Sequence, residues 1–390
     1  MSERSPARLE GMRVAVVLKW AGLGGAERQA LLLARHLKDV EGADVAVQAL
    51  NDAEGRAATL FREAGIPWRK RRGSWRGSKP RTVGRLARAA AALRRGRYDV
   101  LLPYCDVPNV VCGLVWRHTG ARTCVWNQRD TLPFTLEHDF VRRAIRATPV
   151  LVSNSEHGAQ LLADRGAARD RVRVIANGVG LAPPQGDRRD WRRRLGIGDD
   201  VVMVTSVAHF YVRKEHETLL DGWRGTLASA DADRAGPVLV LAGRSEGRRE
   251  RLEKLVHEYG IADSVRFAGD VEDVAGLLAA SDVGVLSSPT EGCPNAVLEY
   301  MAAGLPVVGS DIPGIRDVLG DSGTPLLVPP ADPLALASAL AAVCADPGLR
   351  KRVGAENGAR QRRLFSTERM LDDAVGAILD GLELARLRGA

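Results

Sequence analysis

Cysteines are few in this sequence, and long apolar runs are absent from it. Its five cysteines form neither a CxxC pair nor a Cys/His cluster with zinc spacing, so neither a disulfide framework nor a structural metal site is indicated. No run approaches the roughly 18 apolar residues that a membrane span needs, and the first residues contain no apolar core of a signal peptide. We therefore expect a cytoplasmic protein with reduced thiols and no metal.

The length predicts more than one domain. With 390 residues, 45% of them hydrophobic, the chain can bury a sizeable core. Domains of roughly 100 to 200 residues make two the expected number.

Positive charge is concentrated in one segment, residues 68–97. This basic segment holds twelve Lys or Arg and no acidic residue, so the rest of the chain carries −4 of the net +8. The charge therefore indicates one face for an anionic partner.

Short apolar runs alternate with helical patterns along most of the chain. The run "RVAVVLKW" predicts a buried strand, and the helix "GAERQALLLARHLKDV" follows it before the next strand, "ADVAVQAL". A polar, Pro- and Gly-bearing stretch, "LAPPQGDRRD", interrupts this alternation, which then resumes at "VVMVTSVA". The pattern predicts an α/β fold of two doubly wound, Rossmann-like domains, residues 12–180 and 181–365, with a cleft between them.

A glycine-rich loop follows the first strand. Gly22, Gly24 and Gly25 stand before a helix, where backbone N–H groups approach anionic ligands. A nicotinamide-binding loop is less consistent with the sequence, because Glu27 stands where a third small residue is needed. A glycine turn with only a folding role is the remaining alternative.

A second candidate loop, "SVAHFYVRKEHETLL", follows the first strand of the second domain. His209, Arg213 and Lys214 lie in it ahead of a helix, and such cations stabilise the charge of a departing diphosphate. An ordinary solvated Arg-Lys pair is the equally weighted alternative.

The most informative stretch is "SSPTEGCPNAVLEYMAAGLPVVGSDIPG". Pro294 suits the first helical position, Gly304 suits the residue just after the helix, and Pro306 follows. Glu291 precedes the helix and Glu299 lies about 6 Å along it. The positive helix start favours an anion, while both carboxylates accept hydroxyl donors, so the stretch predicts a nucleotide-sugar site.

Glu291 and Glu299 have two other possible interpretations. Glycosidases use a carboxylate pair as acid and base, but the helix boundaries place Glu291 and Glu299 in different local settings. Alternatively, Glu291 only faces the helix dipole and Glu299 is solvated. The apolar neighbours of Glu299 favour its partial burial, and a buried acid requires a partner.

The same residues carry a resemblance to a known family. The block from "SPTEG" to "DIPG" resembles the E-x7-E signature of glycosyltransferase family 4, retaining enzymes with the GT-B fold. "GGAER", "SNSE", "VIANGV", "LAGR" and "VRFAGDVEDVAGLLAASDVGVLSS" match in the same order. The resemblance covers residues from about 12 to 365. It implies metal-independent transfer of a sugar from a nucleotide diphosphate to an acceptor hydroxyl. By analogy, residues 366–390 would form a helix that packs back on the first domain.

The resemblance also implies roles for particular residues. Glu299 would bind the ribose and Glu291 the sugar, while Lys214 would bind the diphosphate. The catalytic residues implied are Glu291, Lys214 and Arg129. The donor-binding residues implied are Gly24, Gly25, His209, Arg213, Lys214, Arg244, Val271, Glu291, Gly292, Cys293, Asn295, Ala296 and Glu299.

At two positions the sequence departs from the family pattern. Where the family has a phosphate-binding Arg, this sequence has Ala208 or His209. Arg213 and Arg244 are therefore the candidates for the second cation that binds the phosphates. The family's His near the reacting sugar is also missing from "CVWNQRDTLPF". Arg129 is the replacement we favour there, close to either the donor or the acceptor.

The acceptor is not identified by the sequence. On a predicted helix from about 80 to 95, Arg81, Arg85 and Arg88 lie opposite an apolar side, and Trp68 and Trp75 precede it. One hypothesis is peripheral contact with the inner face of the plasma membrane or a lipid-linked acceptor. A solvated basic face is the alternative, and no nucleic-acid motif accompanies the charge.

The sequence is compatible with two other functions. A GT-B sugar-nucleotide epimerase shares the predicted architecture, although it would lack the Glu291 and Glu299 block. A non-catalytic nucleotide-sugar-binding partner subunit would fit the missing Arg and His.

Overall fold

The computed structural model describes residues 8–51, 54–70, 79–129, 134–229, 236–245 and 247–389, without the side chains of 79–81, 322–324 and 388–389. The chain divides into two compact units. Unit 1 contains the described residues up to Asn177 and those from Glu368 onward, and unit 2 is Gly178–Thr367.

The described part of unit 1 contains seven strands and seven α-helices before Asn177 and after Thr367. The strands are β1 (Arg13–Leu18), β2 (Asp44–Ala49), β3 (Trp68–Lys70), β4 (Val100–Pro103), β5 (Thr123–Gln128), β6 (Val150–Ser153) and β7 (Val172–Val174). The helices are α1 (Gly25–Asp39), α2 (Arg56–Glu63), α3 (Lys79–Gly96), α4 (Asp106–Val115), α5 (His138–Ala147), α6 (Glu156–Ala163) and, at the far end of the chain, α15 (Thr367–Gly389).

The sheet of unit 1 is entirely parallel, in the order β3-β2-β1-β4-β5-β6-β7. In β1, Val14 pairs with Val45 on one side and with Val100 on the other. All but the first residue of β1 are buried, which explains its unbroken apolar run, because helices cover both faces of a parallel sheet.

The last helix, α15, packs on one face of this sheet. Its buried residues share an apolar core with α1, α2 and strands β1 to β4, and the members from α15 are Met370, Ala374, Val375, Ala377, Ile378 and Leu382. Arg8, near the other end of the described chain, contacts the same helix through an ion pair with Asp372 at 3.3 Å. Unit 1 is therefore built from two separate stretches of sequence.

Unit 2 repeats the doubly wound pattern. Its strands are β8 (Met203–Val207), β9 (Val238–Ala242), β10 (Val265–Gly269), β11 (Val283–Leu286), β12 (Val307–Ser310) and β13 (Leu327–Val328). Its helices are α7 (Arg188–Leu195), α8 (His216–Ala228), α9 (Arg249–Glu258), α10 (Val274–Ala280), α11 (Asn295–Ala302), α12 (Pro313–Leu319), α13 (Pro333–Ala345) and α14 (Pro347–Leu364). The parallel order β10-β9-β8-β11-β12-β13 places β9, β8 and β11 side by side. The prediction of an α/β fold with two doubly wound sheets is therefore confirmed.

The basic segment is described only in part. Helix α3 has the predicted apolar side, with Leu93 2% exposed and packed in the core of unit 1, while Arg88 on the other side is exposed. Trp68 is not part of an exposed aromatic face, because this side chain is 8% exposed and packs on Phe61 with ring centroids 5.7 Å apart. Trp75 and the side chain of Arg81 lie outside the described residues.

None of the helices in the described ranges combines the length and the apolar character that crossing a membrane requires.

Candidate functional site

The candidate donor site of unit 2 lies at one edge of its sheet. Strands β9, β8 and β11 are neighbours, and the loops that leave their carboxyl ends contain residues 243–248, 208–215 and 287–294. In parallel sheets of this kind, ligands bind outside the carboxyl ends of the strands. The loops predicted to bind the donor are therefore adjacent.

An ion pair joins two of these loops. Lys214 Nζ contacts Glu291 Oε1, and the two side chains are 27% and 16% exposed. Ser287 Oγ donates to the backbone carbonyls of Lys214 at 3.1 Å and Glu215 at 3.2 Å, which fixes the lysine-bearing turn against the end of β11. A cation and a carboxylate thus face each other within a largely buried part of the site.

Two glycines allow the backbones of these loops to pass in close contact. Gly243 has a φ of +156°, and a Cβ at this position would lie 2.1 Å from the carbonyl oxygen of Ala208. Gly314, at the start of α12, passes the loop so closely that a Cβ would lie 2.3 Å from the carbonyl oxygen of Glu291. Both positions require glycine for steric reasons, since backbone atoms cannot move aside as a flexible side chain can.

Helix α11 carries Glu299 into the interior. The helix begins at Asn295, so the prediction that Pro294 is the first helical residue is wrong, because Pro294 has an extended ψ of 114° and occupies the preceding N-cap position. The predicted end is confirmed, since Gly304 has a φ of +71°. Glu299 is only 9% exposed, so the alternative of a solvated position is excluded.

Tyr300, next to Glu299, fastens α11 to the sheet. Its hydroxyl accepts a hydrogen bond from the backbone N–H of Val207 at 2.6 Å, at the end of β8. Burial raises the pKa of this hydroxyl well above its ordinary value, and the neighbouring Glu299 charge raises it further. The helix that bears Glu299 is thereby held at the same sheet edge as the loop that bears Lys214.

A second cation stands at the end of β9. The guanidinium of Arg244 lies 3.3 Å from His209 Nε2, and its backbone N–H donates to His209 Nδ1 at 3.3 Å. Phe210 N–H donates to the Arg244 carbonyl at 2.9 Å, which anchors the two loops to each other. The structure therefore places Arg244 beside the position where the family's phosphate-binding Arg is missing.

The other predicted donor-binding residues of unit 2 vary in exposure. Arg213 is exposed beside Lys214, whereas Gly292 and Cys293 are buried between Glu291 and α11. Asn295 and Ala296, in the first turn of α11, are half-buried. Val271 follows β10, half-buried against the apolar cluster around Trp191.

His216 is a neutral buried group behind the lysine turn. It is 4% exposed and lies edge-on to Phe210, with ring centroids 5.0 Å apart. Burial lowers the pKa of His216 to about 4, and the charges of Lys214 and Arg248 lower it as well. This side chain is uncharged near pH 7, so it adds no positive charge to the site.

In unit 1 the glycine loop forms the start of α1. Gly24 is the N-cap and Gly25 the first helical residue, and the Gly24 N–H donates to Glu27 Oε2 at 3.0 Å. A carboxylate of the chain itself therefore already contacts this helix start.

Arg129 follows β5 in unit 1 and is 8% exposed. Its guanidinium donates to Asn177 Oδ1 at 3.0 Å and to Asn127 Oδ1 at 3.1 Å, and it lies 5.4 Å from the ring centroid of Tyr104. Asp130, which follows it, lies outside the described residues. Arg129 is thus a buried cation at the carboxyl edge of the unit 1 sheet.

Sequence reasoning missed several residues of these sites, among them Ser287, Tyr300, His216 and Tyr104. Their partners lie far along the chain, as in the hydrogen bond from Val207 to Tyr300, which spans 93 positions. The local signal was that Tyr104 and Ser287 directly follow the buried strands β4 and β11, at positions that carry ligand contacts in such sheets.

The chain belongs to the family 4, or group 1, glycosyltransferases. Residues 23–182 match the family model described as Glycosyltransferase Family 4, and residues 199–346 match that described as Glycosyl transferases group 1. The resemblance seen in the sequence is therefore confirmed.

Two curated relatives illustrate the match. The D-inositol 3-phosphate glycosyltransferase of Geodermatophilus obscurus is 34% identical over 235 residues, 58% of this chain and 51% of the relative. The lipopolysaccharide core biosynthesis glycosyltransferase LpsE of Rhizobium meliloti is 33% identical over 227 residues, 58% of this chain and 63% of the relative. The alignments thus span about half to two thirds of these relatives.

Solved structures share the fold over nearly the whole chain. Anabaena HepE, solved in complex with UDP, has a TM-score of 0.79 at 18% identity and covers 94% of this chain and 99% of its own. The sucrose-phosphate synthase of Thermosynechococcus elongatus has a TM-score of 0.72 at 21% identity and covers 97% and 99%. At these identities the likeness establishes the GT-B fold.

Proposed function

We propose that this protein transfers a sugar, with retention of configuration and without a required metal, from a nucleotide diphosphate sugar to an acceptor hydroxyl. The observation that carries the proposal is the Lys214 and Glu291 ion pair, with buried Glu299 following on α11. HepE was solved with UDP and with UDP-glucose, which makes UDP-sugars the first donors to test.

The ion pair exchanges partners when the donor binds. A diphosphate carries more negative charge than one carboxylate, so the Lys214 ammonium moves from Glu291 to the phosphate oxygens. Glu291 then accepts hydroxyl hydrogens of the sugar, and the backbone from Gly292 to Ala296 faces the same anion from the start of α11. The charge that builds on the leaving diphosphate is stabilised by the same lysine.

The remaining groups of unit 2 orient the nucleotide. Glu299 binds the ribose hydroxyls, because a carboxylate accepts hydrogen bonds from hydroxyl donors. Arg244 provides the second phosphate cation, held in place by His209, and exposed Arg213 adds positive charge nearby. The loop that contains Val271 meets the base.

Unit 1 contributes the acceptor side in this proposal. Gly24 and Gly25 approach the phosphates through the backbone, and Arg129 stands at the reaction centre where related proteins carry a His. The departing phosphate, which is adjacent to the acceptor hydroxyl in front-face attack, takes the proton of that hydroxyl.

A donor panel tests the proposal. Purified protein is heated with UDP-, GDP- and ADP-sugars, since a ligand that binds only the folded state raises the melting temperature. The stabilising donor is then incubated with candidate acceptors, and nucleotide diphosphate release is measured. Conversion of the donor to an epimer would instead support an epimerase, and binding without turnover under any acceptor would support a partner subunit.

We further propose that the basic segment contacts an anionic membrane surface or a lipid-linked acceptor. On α3, Arg88 and Arg95 are exposed and Arg85 is half-buried, on the side away from the core residue Leu93. With Trp68 buried, the contact within the described residues rests on these arginines.

A further inference from the structure

Unit 1 contains a buried arginine that forms no ion pair with a carboxylate of the described residues. Arg129 is 8% exposed, and no acidic side chain of the described residues pairs with it. Its hydrogen-bond acceptors are two neutral amide oxygens, on Asn127 and Asn177. Burying an unpaired cation is costly, so such a group is retained only if something else stabilises it.

The donors of this guanidinium are also incompletely used. Arginine has five N–H donors, and the contacts to Asn127 and Asn177 engage one on each terminal nitrogen. The Nε atom is buried without a hydrogen-bond partner. The Tyr104 hydroxyl lies beside the guanidinium: burial raises its pKa, while the charge of Arg129 and a hydrogen bond with it lower that pKa. Donors of the guanidinium, the Nε–H among them, thus remain for an acceptor group.

Among the described residues a second arginine is buried and provides a comparison. Arg192, in unit 2, is 1% exposed and pairs with Asp282 at 2.6 Å. Its remaining donors bind backbone carbonyls, among them Ala280 at 3.1 Å and Val201 at 2.9 Å. The buried Arg192 is thus satisfied by a carboxylate and backbone carbonyls, whereas the contacts of the Arg129 guanidinium are to side-chain amide oxygens.

The surroundings of Arg129 hold it rigidly. Asn154 donates to the Arg129 carbonyl at 3.3 Å, and Asn109 bonds both to the carbonyl of Asn127, at 2.8 Å, and to its N–H, at 3.0 Å. Asn127 is the penultimate residue of β5, Asn154 follows β6 and Asn177 lies three residues after β7, and these strands are neighbours at the edge where ligands bind. The amide oxygens orient the cation without neutralising it.

We propose that Arg129, with the Tyr104 hydroxyl, binds an anionic oxygen group of a substrate, a phosphate or a carboxylate. The assignment of that group to a substrate rests on the proposed function, because the anion is carried either by the acceptor or by the donor diphosphate. A bidentate guanidinium contact is well suited to either group.

Inorganic phosphate is the probe. The melting temperature is followed as phosphate replaces chloride at constant ionic strength, with and without saturating UDP, in the wild type and in Arg129→Gln. Arg142→Gln, which removes an exposed arginine of α5 in the same unit, is the matched control. Arg129→Lys keeps the charge without the guanidinium fork and is used if Arg129→Gln does not fold.

We expect Arg129→Gln to need roughly tenfold more phosphate for the same stabilisation, while Arg142→Gln behaves as the wild type. A phosphate response that persists under saturating UDP assigns the anion to the acceptor. A response that UDP abolishes, together with weaker UDP binding by Arg129→Gln, assigns it to the donor.

Equal responses of the wild type and the Arg129 variants to both phosphate and UDP would overturn the proposal and make Arg129 a structural residue. Absence of UDP binding by every variant would instead count against the proposed function, while the phosphate titration alone would still decide whether Arg129 binds an anion.

Discussion

Lys214 and Glu291, 77 positions apart in the sequence, form an ion pair across the loops that follow β8 and β11. A charge swap tests what this pair does. In the double variant Lys214→Glu with Glu291→Lys the ion pair can re-form, so we expect near wild-type melting temperature. Donor binding should still fall at least tenfold, because the phosphates then meet a carboxylate where they met an ammonium.

Each single variant, Lys214→Glu or Glu291→Lys, should lose stability as well, because like charges then face each other. Donor affinity is measured by calorimetry and stability by thermal unfolding. Retained donor affinity in the swapped double variant would remove the pair from the binding site.

Glu299→Gln should weaken donor binding while the fold is kept. The carboxylate accepts ribose hydroxyls in the proposed site, and charge-assisted hydrogen bonds contribute about 1.5 to 3 kcal/mol, a loss of roughly tenfold or more. Glu356→Gln, on an exposed position of α14, is the matched control and should bind as the wild type. Unchanged kinetics in Glu299→Gln would exclude the ribose contact.

His216 makes stability depend on pH. Its pKa is about 4 in the folded protein, against an ordinary value of 6.5. Between these values the unfolded chain binds the proton and the folded chain does not, so stability falls as pH decreases from 6.5 to about 4. The loss approaches about 3 kcal/mol at the lower end and is absent above pH 6.5.

Thermal unfolding between pH 4 and pH 7 measures this dependence. His216→Gln should flatten the slope, whereas His257→Gln, at an exposed position of α9, should leave it unchanged. The same slope in His216→Gln and the wild type would show that other groups cause it.

The two buried arginines should respond oppositely to replacement. Arg192→Leu leaves Asp282 without one partner and several carbonyls without donors, so we expect a loss of about 3 kcal/mol in unfolding free energy. Arg129→Leu removes a buried cation that lacks a carboxylate, so its stability should be equal to the wild type or higher. Urea unfolding measures both, and a large loss in Arg129→Leu would argue for a packing role.

The membrane proposal is tested with vesicles. Arg85→Glu with Arg88→Glu should abolish salt-sensitive co-sedimentation with anionic liposomes, because each basic residue near such a surface contributes about 1 kcal/mol. Arg142→Glu with Arg143→Glu makes the same charge change on exposed positions of α5. Equal sedimentation of both double variants would end the proposal.

Much of the fold could be predicted because its signals are local. An unbroken apolar run predicts strand β1. Pro294 and Gly304 predict the two ends of α11, with an error of one residue at its start. The burial of Trp68 was not predicted, because β3 has only three residues within a basic run. This is too few to show that Trp68 is buried while Arg69 and Lys70 are exposed.

The candidate site was predictable in its residues but not in its contacts. The spacing of Glu291 and Glu299 identifies one helix and the loop before it. The partner of Glu291 is set by the order of strands in the sheet, which brings β8 beside β11. Likewise, Arg129 was selected by its position after a strand, yet its contacts with Tyr104 and Asn177 depend on the packing of distant strands, which no local pattern specifies.

Helix α15 has a consequence for how the protein is made. Unit 2 is one uninterrupted stretch, Gly178–Thr367, whereas the core of unit 1 includes Met370, Val375 and Ile378. During synthesis from the amino end, the ribosome therefore releases all of unit 2 before the helix that completes unit 1. Until then the apolar surface that α15 covers stays open to water and to chaperones.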